Sequence, residues 1–226
     1  MKTIGNPTRA NQELVNKVKA IKVSKVRSED SLRLMLIDMI SYKSKVLDCG
    51  KSLREVFDIA KNKSEMIETL DINSFGDYPD YLIDVCDKQG MKFFQSKYDL
   101  VVAFSLIEHC YNPFLACENL FSALKRGGKV VGSAPFLFPR HGPEDLSYQD
   151  FFRFTRDSYA VLFPRASNIE LFPLRGRLAT GLNVLTLRYR FSFEKRFKRA
   201  STLVNNLASS GSHGLQSSGY GFIVSN

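Results

Sequence analysis

An acid and a glycine stand together at Asp48-Cys49-Gly50, and a second acid, Asp71, follows 21 residues after that glycine. Glycine lets a backbone come close to a ligand. An acid about 20 residues beyond such a turn is placed to bind a ribose diol from the tip of the adjacent parallel strand. Asp84 and Asp87 close the next apolar stretch. A separate pair of ionisable residues, Glu108 and His109, stands where the apolar run ending at Phe104-Ser105 gives out, and His141 lies between Pro139 and Pro143. Imidazole titrates near neutral pH, so His109 and His141 are both candidates for a general base. For His109 the alternative is a helix start whose loop it holds by hydrogen bonds; for His141 it is a solvated loop position. Arg153 offers a contact to an acidic or phosphorylated substrate group, or an ion pair with Asp150 or Glu144.

The pattern around these groups is one of alternating strands and helices. Tyr98-Asp99-Leu100-Val101-Val102-Ala103-Phe104 is almost continuously apolar, as a strand covered on both faces must be. Asn112-Pro113 marks a helix start, with Asn as the cap and Pro at the first helical position. Ala116, Cys117, Leu120, Phe121 and Leu124 recur at helical spacing, and Lys125-Arg126-Gly127-Gly128 reads as the cationic, glycine-capped end of that helix. Residues 130–134 form the next strand.

Upstream, 10–26 reads as a surface helix packed through Leu14, Val18 and Ile21, and 32–42 as a second helix. Strands are expected at 45–48, 65–71 and 81–87, a helix at 54–61, and a loop or single turn at 88–97. Downstream, the prolines of 136–143 exclude a central strand or helix, so this stretch reads as a lid over the site. A helix near 156–163 and strands at 168–173 and 220–224 follow; 182–193 reads as strand or helix, and 209–214 as a turn.

The 226 residues suffice for one large core, with 1–27 as a basic helical extension and 28–226 as a single domain whose lid is 136–157. No apolar run approaches the ~20 residues of a membrane span, and the basic amino terminus lacks the apolar core of a signal peptide. Cys49, Cys86, Cys110 and Cys117 lack metal-ligand spacing and read as reduced thiols of a cytoplasmic protein. The net charge of +9 is compatible with an anionic partner or with a solvated basic surface, and no nucleic-acid recognition motif accompanies it.

Val46-Leu47-Asp48-Cys49-Gly50, Asp71 and the run from Glu108-His109 to Lys125-Arg126-Gly127-Gly128 together resemble a class I S-adenosylmethionine-dependent methyltransferase. Ala134-Pro135-Phe136, His141 and Arg153-Phe154-Thr155 are similar to its small bacterial type-11-like subgroup, and the likeness covers roughly 44–165. It implies a Rossmann-like, doubly wound, mostly parallel seven-stranded sheet with helices on both faces. By position, Asp48 and Gly50 would border the methionine part of S-adenosyl-L-methionine. Asp71 would hold the ribose, Asp87 (or Asp84) the adenine amino group, and Phe104 and Ser105 the wall near the sulfonium. The expected activity is methyl transfer to a small-molecule or sugar hydroxyl in surface glycan biosynthesis, with no metal, because Ser105 replaces one acid and leaves only Glu108 and His109. Ser52 stands where the family turn carries its second glycine. The alternative is therefore a catalytically silent scaffold that binds an anionic partner. A nucleic-acid acceptor is not expected, since Ser133-Ala134-Pro135-Phe136 replaces the Asn/Asp-Pro-Pro-aromatic tetrad.

Overall fold

The structure, a computed structural model, describes residues 7–26, 29–142, 148–174, 180 and 217–226. The expectations for 182–193 and 209–214 lie outside the described residues. Among the described residues eight strands form one sheet: β1 (Lys22–Val23), β2 (Lys45–Cys49), β3 (Met66–Asp71), β4 (Tyr81–Leu82), β5 (Tyr98–Phe104), β6 (Leu124–Pro135), β7 (Asn168–Leu174) and β8 (Gly219–Ser225). Their order is β1-β7-β8-β6-β5-β2-β3-β4. All neighbours are parallel except β8, which runs antiparallel to both β6 and β7.

Helices cover both faces: α1 (Pro7–Ala20), α2 (Glu29–Met39), α3 (Phe57–Lys63), α4 (Pro113–Ser122) and α5 (Ser158–Leu162). Side-chain alternation divides the core accordingly. In β5, Val101 and Ala103 pack with Ala116, Cys117 and Leu120 of α4, while Leu100, Val102 and Phe104 pack with Leu32 and Leu36 of α2. Leu32 and Leu36 are fully buried, each burial stabilising the fold by about 1.5–3 kcal/mol.

The predicted cap of α4 is present: the Asn112 side chain accepts the Leu115 amide at 3.1 Å, with Pro113 as the first helical residue. Its predicted end is corrected. The helix stops at Ser122, and Lys125-Arg126-Gly127-Gly128 belongs to β6, where Gly127 adopts φ 79° and the register to β5 shifts. The third predicted strand is also shorter than expected. Only Tyr81–Leu82 pairs, because the Asp84 and Asp87 carboxylates accept the Cys86 and Gln89 amides two residues on and turn the chain.

The eighth strand is β1, which the sequence reading had placed inside the first helix. It pairs with β7 and forms the edge of the sheet, helped by a Lys22–Glu170 ion pair at 2.9 Å, and Ile21 beside it is buried in the core. Lys17 Nζ donates to the Phe163 and Pro164 carbonyls at the end of α5, at 2.8 and 2.6 Å, a favourable place for a cation.

Candidate functional site

From β2 the chain runs outward through β3 and β4, then crosses back to β5 on the other side of β2. The sheet order reverses between β2 and β5, and the loops leaving their carboxyl ends meet there. Gly50 adopts φ 68°, a left-handed conformation that glycine takes without strain, and a Cβ on it would crowd the tip of the Leu106 side chain at 2.9 Å. Its amide donates to the Leu70 carbonyl of β3 at 2.9 Å. Lys51 is left-handed too, at φ 52°, but Ser52 is not. The Ser52 position therefore does not need the glycine that the family pattern puts there. Buried Ser52 Oγ donates to the Cys49 carbonyl at 2.6 Å and accepts the Phe104 amide at 2.8 Å, joining the two strand ends.

Asp48 is fully buried. Its Oδ1 accepts the Ser52 and Leu53 amides at 2.9 and 3.2 Å, while Oδ2 has no hydrogen-bond partner. Burial pushes its carboxyl up to about 7, against the pull of those amides and of the Arg33 charge. Asp71, at the end of β3, accepts the Asn73 amide at 2.8 Å, and burial raises its carboxyl as well. Asp48 and Asp71 are thus on neighbouring strand ends of one cleft. Asp84 and Asp87 stand on the turn beyond β4, with Asp84 half-buried and Asp87 exposed. Ser105 begins the loop after β5 at φ 50°, its amide held by the Ser133 carbonyl at 2.9 Å. The Phe104 ring is buried beneath the Arg33 guanidinium, 4.6 Å from its carbon, so Phe104 reaches this end of the sheet only through its backbone. Cys49 is fully buried, which drives its thiol well above the ordinary value and away from nucleophilic use.

Two residues here carried no sequence signal. Arg33 is buried on α2, where Nε donates to the Ser52 carbonyl at 2.9 Å and the guanidinium pairs with Glu29 and Asp30. Tyr78, from the β3–β4 loop, accepts the Lys51 amide at its hydroxyl at 2.6 Å. An arginine at the fifth position of an amphipathic helix, or a tyrosine before a proline, has no periodic signature. Only the packing singles them out.

The second group assembles around Glu108. Its side chain is fully buried, and neither carboxylate oxygen has a hydrogen-bond partner. His109 Nε2 lies 3.8 Å from Glu108 Oε1, and His141 Nε2 lies 3.7 Å from the same atom. The two imidazoles meet edge to face with centroids 5.0 Å apart. The sequence alone offers two ligands here, Glu108 and His109; the fold supplies His141 as a third donor from the lid. His109 Nδ1 sits 2.8 Å from the Gln149 carbonyl, and His141 Nδ1 3.3 Å from the Pro139 carbonyl. The proximity of Glu108, with lesser help from Asp150 and Pro139, raises the His141 imidazole above its usual value despite partial burial. Tyr148 packs against the His109 ring with centroids 4.7 Å apart, and burial, with the Asp71 and Glu108 charges adding to it, raises its hydroxyl.

Arg153 resolves toward the structural alternative, correcting its placement as a substrate contact. Nε donates to Phe138 O at 3.1 Å, Nη1 to Phe152 O at 2.8 Å, and Nη2 to Pro139 O at 3.1 Å. Nη1 and Nη2 also grip the two Asp150 carboxylate oxygens. All five guanidinium donors are spent within the lid, leaving none for a ligand. Asp150 in turn is held down to about 2, chiefly by that pairing acting against its burial.

No protein-family model matches the chain, and a search of curated proteins also returns no match. Among solved structures, it is similar to a SAM-dependent methyltransferase from Archaeoglobus fulgidus, with 15% identity over 88% of this chain and 95% of that one, at a TM-score of 0.53. A structure of the Haloferax volcanii Trm112 methyltransferase activator in complex with a methyltransferase gives 11% identity, 99% of each chain and a TM-score of 0.54. Haemonchus contortus phosphoethanolamine N-methyltransferase 2, solved with phosphomonomethylethanolamine and S-adenosylhomocysteine, gives 14% identity over 85% of this chain and 52% of that one, at 0.51. At such identities the likeness establishes the fold: this sheet is the Rossmann-like α/β sheet of the SAM-dependent methyltransferases.

Proposed function

We propose that this protein transfers a methyl group from S-adenosyl-L-methionine to the hydroxyl of a small molecule or sugar. One observation carries the reading: the glycine turn after β2 and the loop after β5 are joined through Ser52 and Phe104 at the point where the sheet order reverses. The residues present suit that cofactor. Asp48 keeps a buried, unpartnered oxygen, Gly50 permits close backbone approach, and Asp71 stands at the neighbouring strand tip. Asp48 and Gly50 would border its methionine part, Asp71 its ribose and Asp84 or Asp87 its adenine, with Ser105 in the wall beside the sulfonium. When bound, the cofactor supplies a methyl group on a good leaving group, so the protein's work is positioning and proton removal.

His141 is the better base of the two histidines. Its Nδ1 faces the Pro139 carbonyl, which can only accept, so Nε2 carries the lone pair that takes the acceptor's proton. The Glu108 carboxylate stabilises the imidazolium that results. His109, largely buried and held by Gln149, orients the cluster. Phe138 packs edge-on against His141 at 5.2 Å and helps keep water from the lid. The sugar acceptor and the role in surface glycan biosynthesis rest on the similarity of the His141-to-Arg153 lid to members of that subgroup. No described helix is long and apolar enough to cross a membrane, which fits action on a dissolved substrate.

Calorimetry with S-adenosylhomocysteine tests the reading. The native chain should bind it, and Asp71→Ala should weaken binding by about 1–3 kcal/mol, the scale of a lost charge-assisted hydrogen-bond pair. No heat at high micromolar ligand would leave the silent scaffold as the better account.

A further inference from the structure

We infer that Glu108, His109 and His141 form a binding site for a divalent transition-metal ion, zinc in the first instance, which fastens the lid to the loop after β5. Their donor atoms all lie within 4.8 Å of one another, with His109 and His141 Nε2 at 3.8 and 3.7 Å from Glu108 Oε1. Donors sharing one ion at about 2.1 Å stand about 3.4 Å apart in a tetrahedron, so the two histidine–carboxylate distances need to shorten by a few tenths of an ångström and the widest donor pair by no more than about 1.4 Å.

The chemistry inside the cluster calls for a cation. Each Nδ1 faces a carbonyl oxygen, that of Gln149 or Pro139, which only accepts; each Nε2 therefore turns a lone pair toward the carboxylate. Glu108 meets those lone pairs with two oxygens that accept no hydrogen bond, in a side chain with no exposure at all. An acid buried without hydrogen-bond partners is unfavourable unless something positive sits against it, and at 3.7 Å a shared proton is too far to serve as a hydrogen bond. The backbone carbonyls behind both imidazoles are the partners that orient metal-bound histidines. Two imidazoles and one carboxylate favour zinc or a similar transition ion over magnesium or calcium, which prefer all-oxygen sites. His141 is 31% exposed, so the fourth position opens toward solvent and takes water. An ion held by Glu108, His109 and His141 would supply a bound water of lowered pKa as the proton acceptor in place of His141.

The test uses the full, untagged chain after treatment with a chelator, titrated with Zn²⁺ by calorimetry and with Co²⁺ by visible absorption, without cofactor or substrate. One equivalent of Zn²⁺ should bind, Mg²⁺ should not compete, and Co²⁺ should give the strong visible bands of a low-coordinate site. His141→Ala and Glu108→Gln should each weaken binding at least about tenfold. His213→Gln, which changes the remaining histidine, should leave it unaltered. Should Glu108→Gln fail to fold, His141→Ala on the lid decides alone. Absent cobalt bands, or zinc affinity indifferent to His141→Ala, would overturn the assignment and leave a proton-held cluster. Because the readout involves no methyl transfer, zinc binding without S-adenosylhomocysteine binding would retain this site and remove the methyltransferase reading.

Discussion

The Phe104 amide donates to Ser52 Oγ at 2.8 Å, across the two strands whose ends bound the cleft. The same hydroxyl donates a hydrogen bond to the Cys49 carbonyl at 2.6 Å. Replacing the serine with glycine, the usual residue of this turn, leaves the Phe104 amide unpartnered in a buried position. Ser52→Gly and Ser52→Ala should each destabilise the fold by about 1–3 kcal/mol. Urea denaturation checks this; unchanged midpoints would mean that the hydroxyl does not join the two loops.

Gly50→Ala should be harmful for a different reason. Alanine at φ 68° costs roughly 1–2 kcal/mol, and its methyl would lie 2.9 Å from Leu106 Cδ1. Because the strain falls on the turn that borders the cofactor in our reading, S-adenosylhomocysteine affinity should drop together with melting temperature. A variant of full affinity would place the cofactor elsewhere.

Asp48 predicts how stability varies with pH. Its carboxyl rises from 3.8 to about 7, mainly through burial, so the folded state holds this proton more tightly than the unfolded chain. The resulting stability is complete below about pH 4 and is lost as pH climbs through 7, with a slope of up to about 1.4 kcal/mol per pH unit between them. Asp71 is raised too and adds a slope of the same sign. Asp48→Asn keeps the amide contacts without ionising. Denaturation series from pH 4 to pH 8 should therefore show a flatter profile for this variant than for the native chain.

Arg153→Lys keeps the charge and loses the fork. One ammonium cannot reach the Phe138, Phe152 and Pro139 carbonyls while gripping both oxygens of Asp150. Asp150 also accepts the His141 amide at 2.9 Å, so loosening it displaces the proposed base. Turnover should fall by about 10- to 100-fold with cofactor affinity unchanged. Proteolysis within the lid should become faster. Weakened cofactor binding instead would show that Arg153 supports the cleft itself.

Much of the sheet could be read directly. A buried parallel strand must be apolar on both faces, and Tyr98–Phe104 is, with the predicted bounds. Asn112-Pro113 announced α4 because capping is a local hydrogen bond that needs only neighbouring residues. The end of α4 was not legible: lysine, arginine and glycine serve equally as a helix cap and as an irregular strand start, and pairing with β5 decides between them. β1 was hidden likewise, since two exposed residues form a strand only where an edge like β7 is free to pair.

The site divides along the same line. Asp48, Gly50 and Asp71 are spaced by one strand–turn–helix–strand unit, so local chain geometry alone brings them to adjacent strand tips. Sequence by itself thus determined the sheet, its polar end and the identity of the groups there. Only the tertiary structure decided that Arg153 turns inward on its own lid, that Ser52 joins two loops, and that His141 meets Glu108 and His109 across the 31 positions between His109 and His141. Those are contacts between distant segments, and the energy that selects them comes from burial and pairing of charge, which no local pattern encodes.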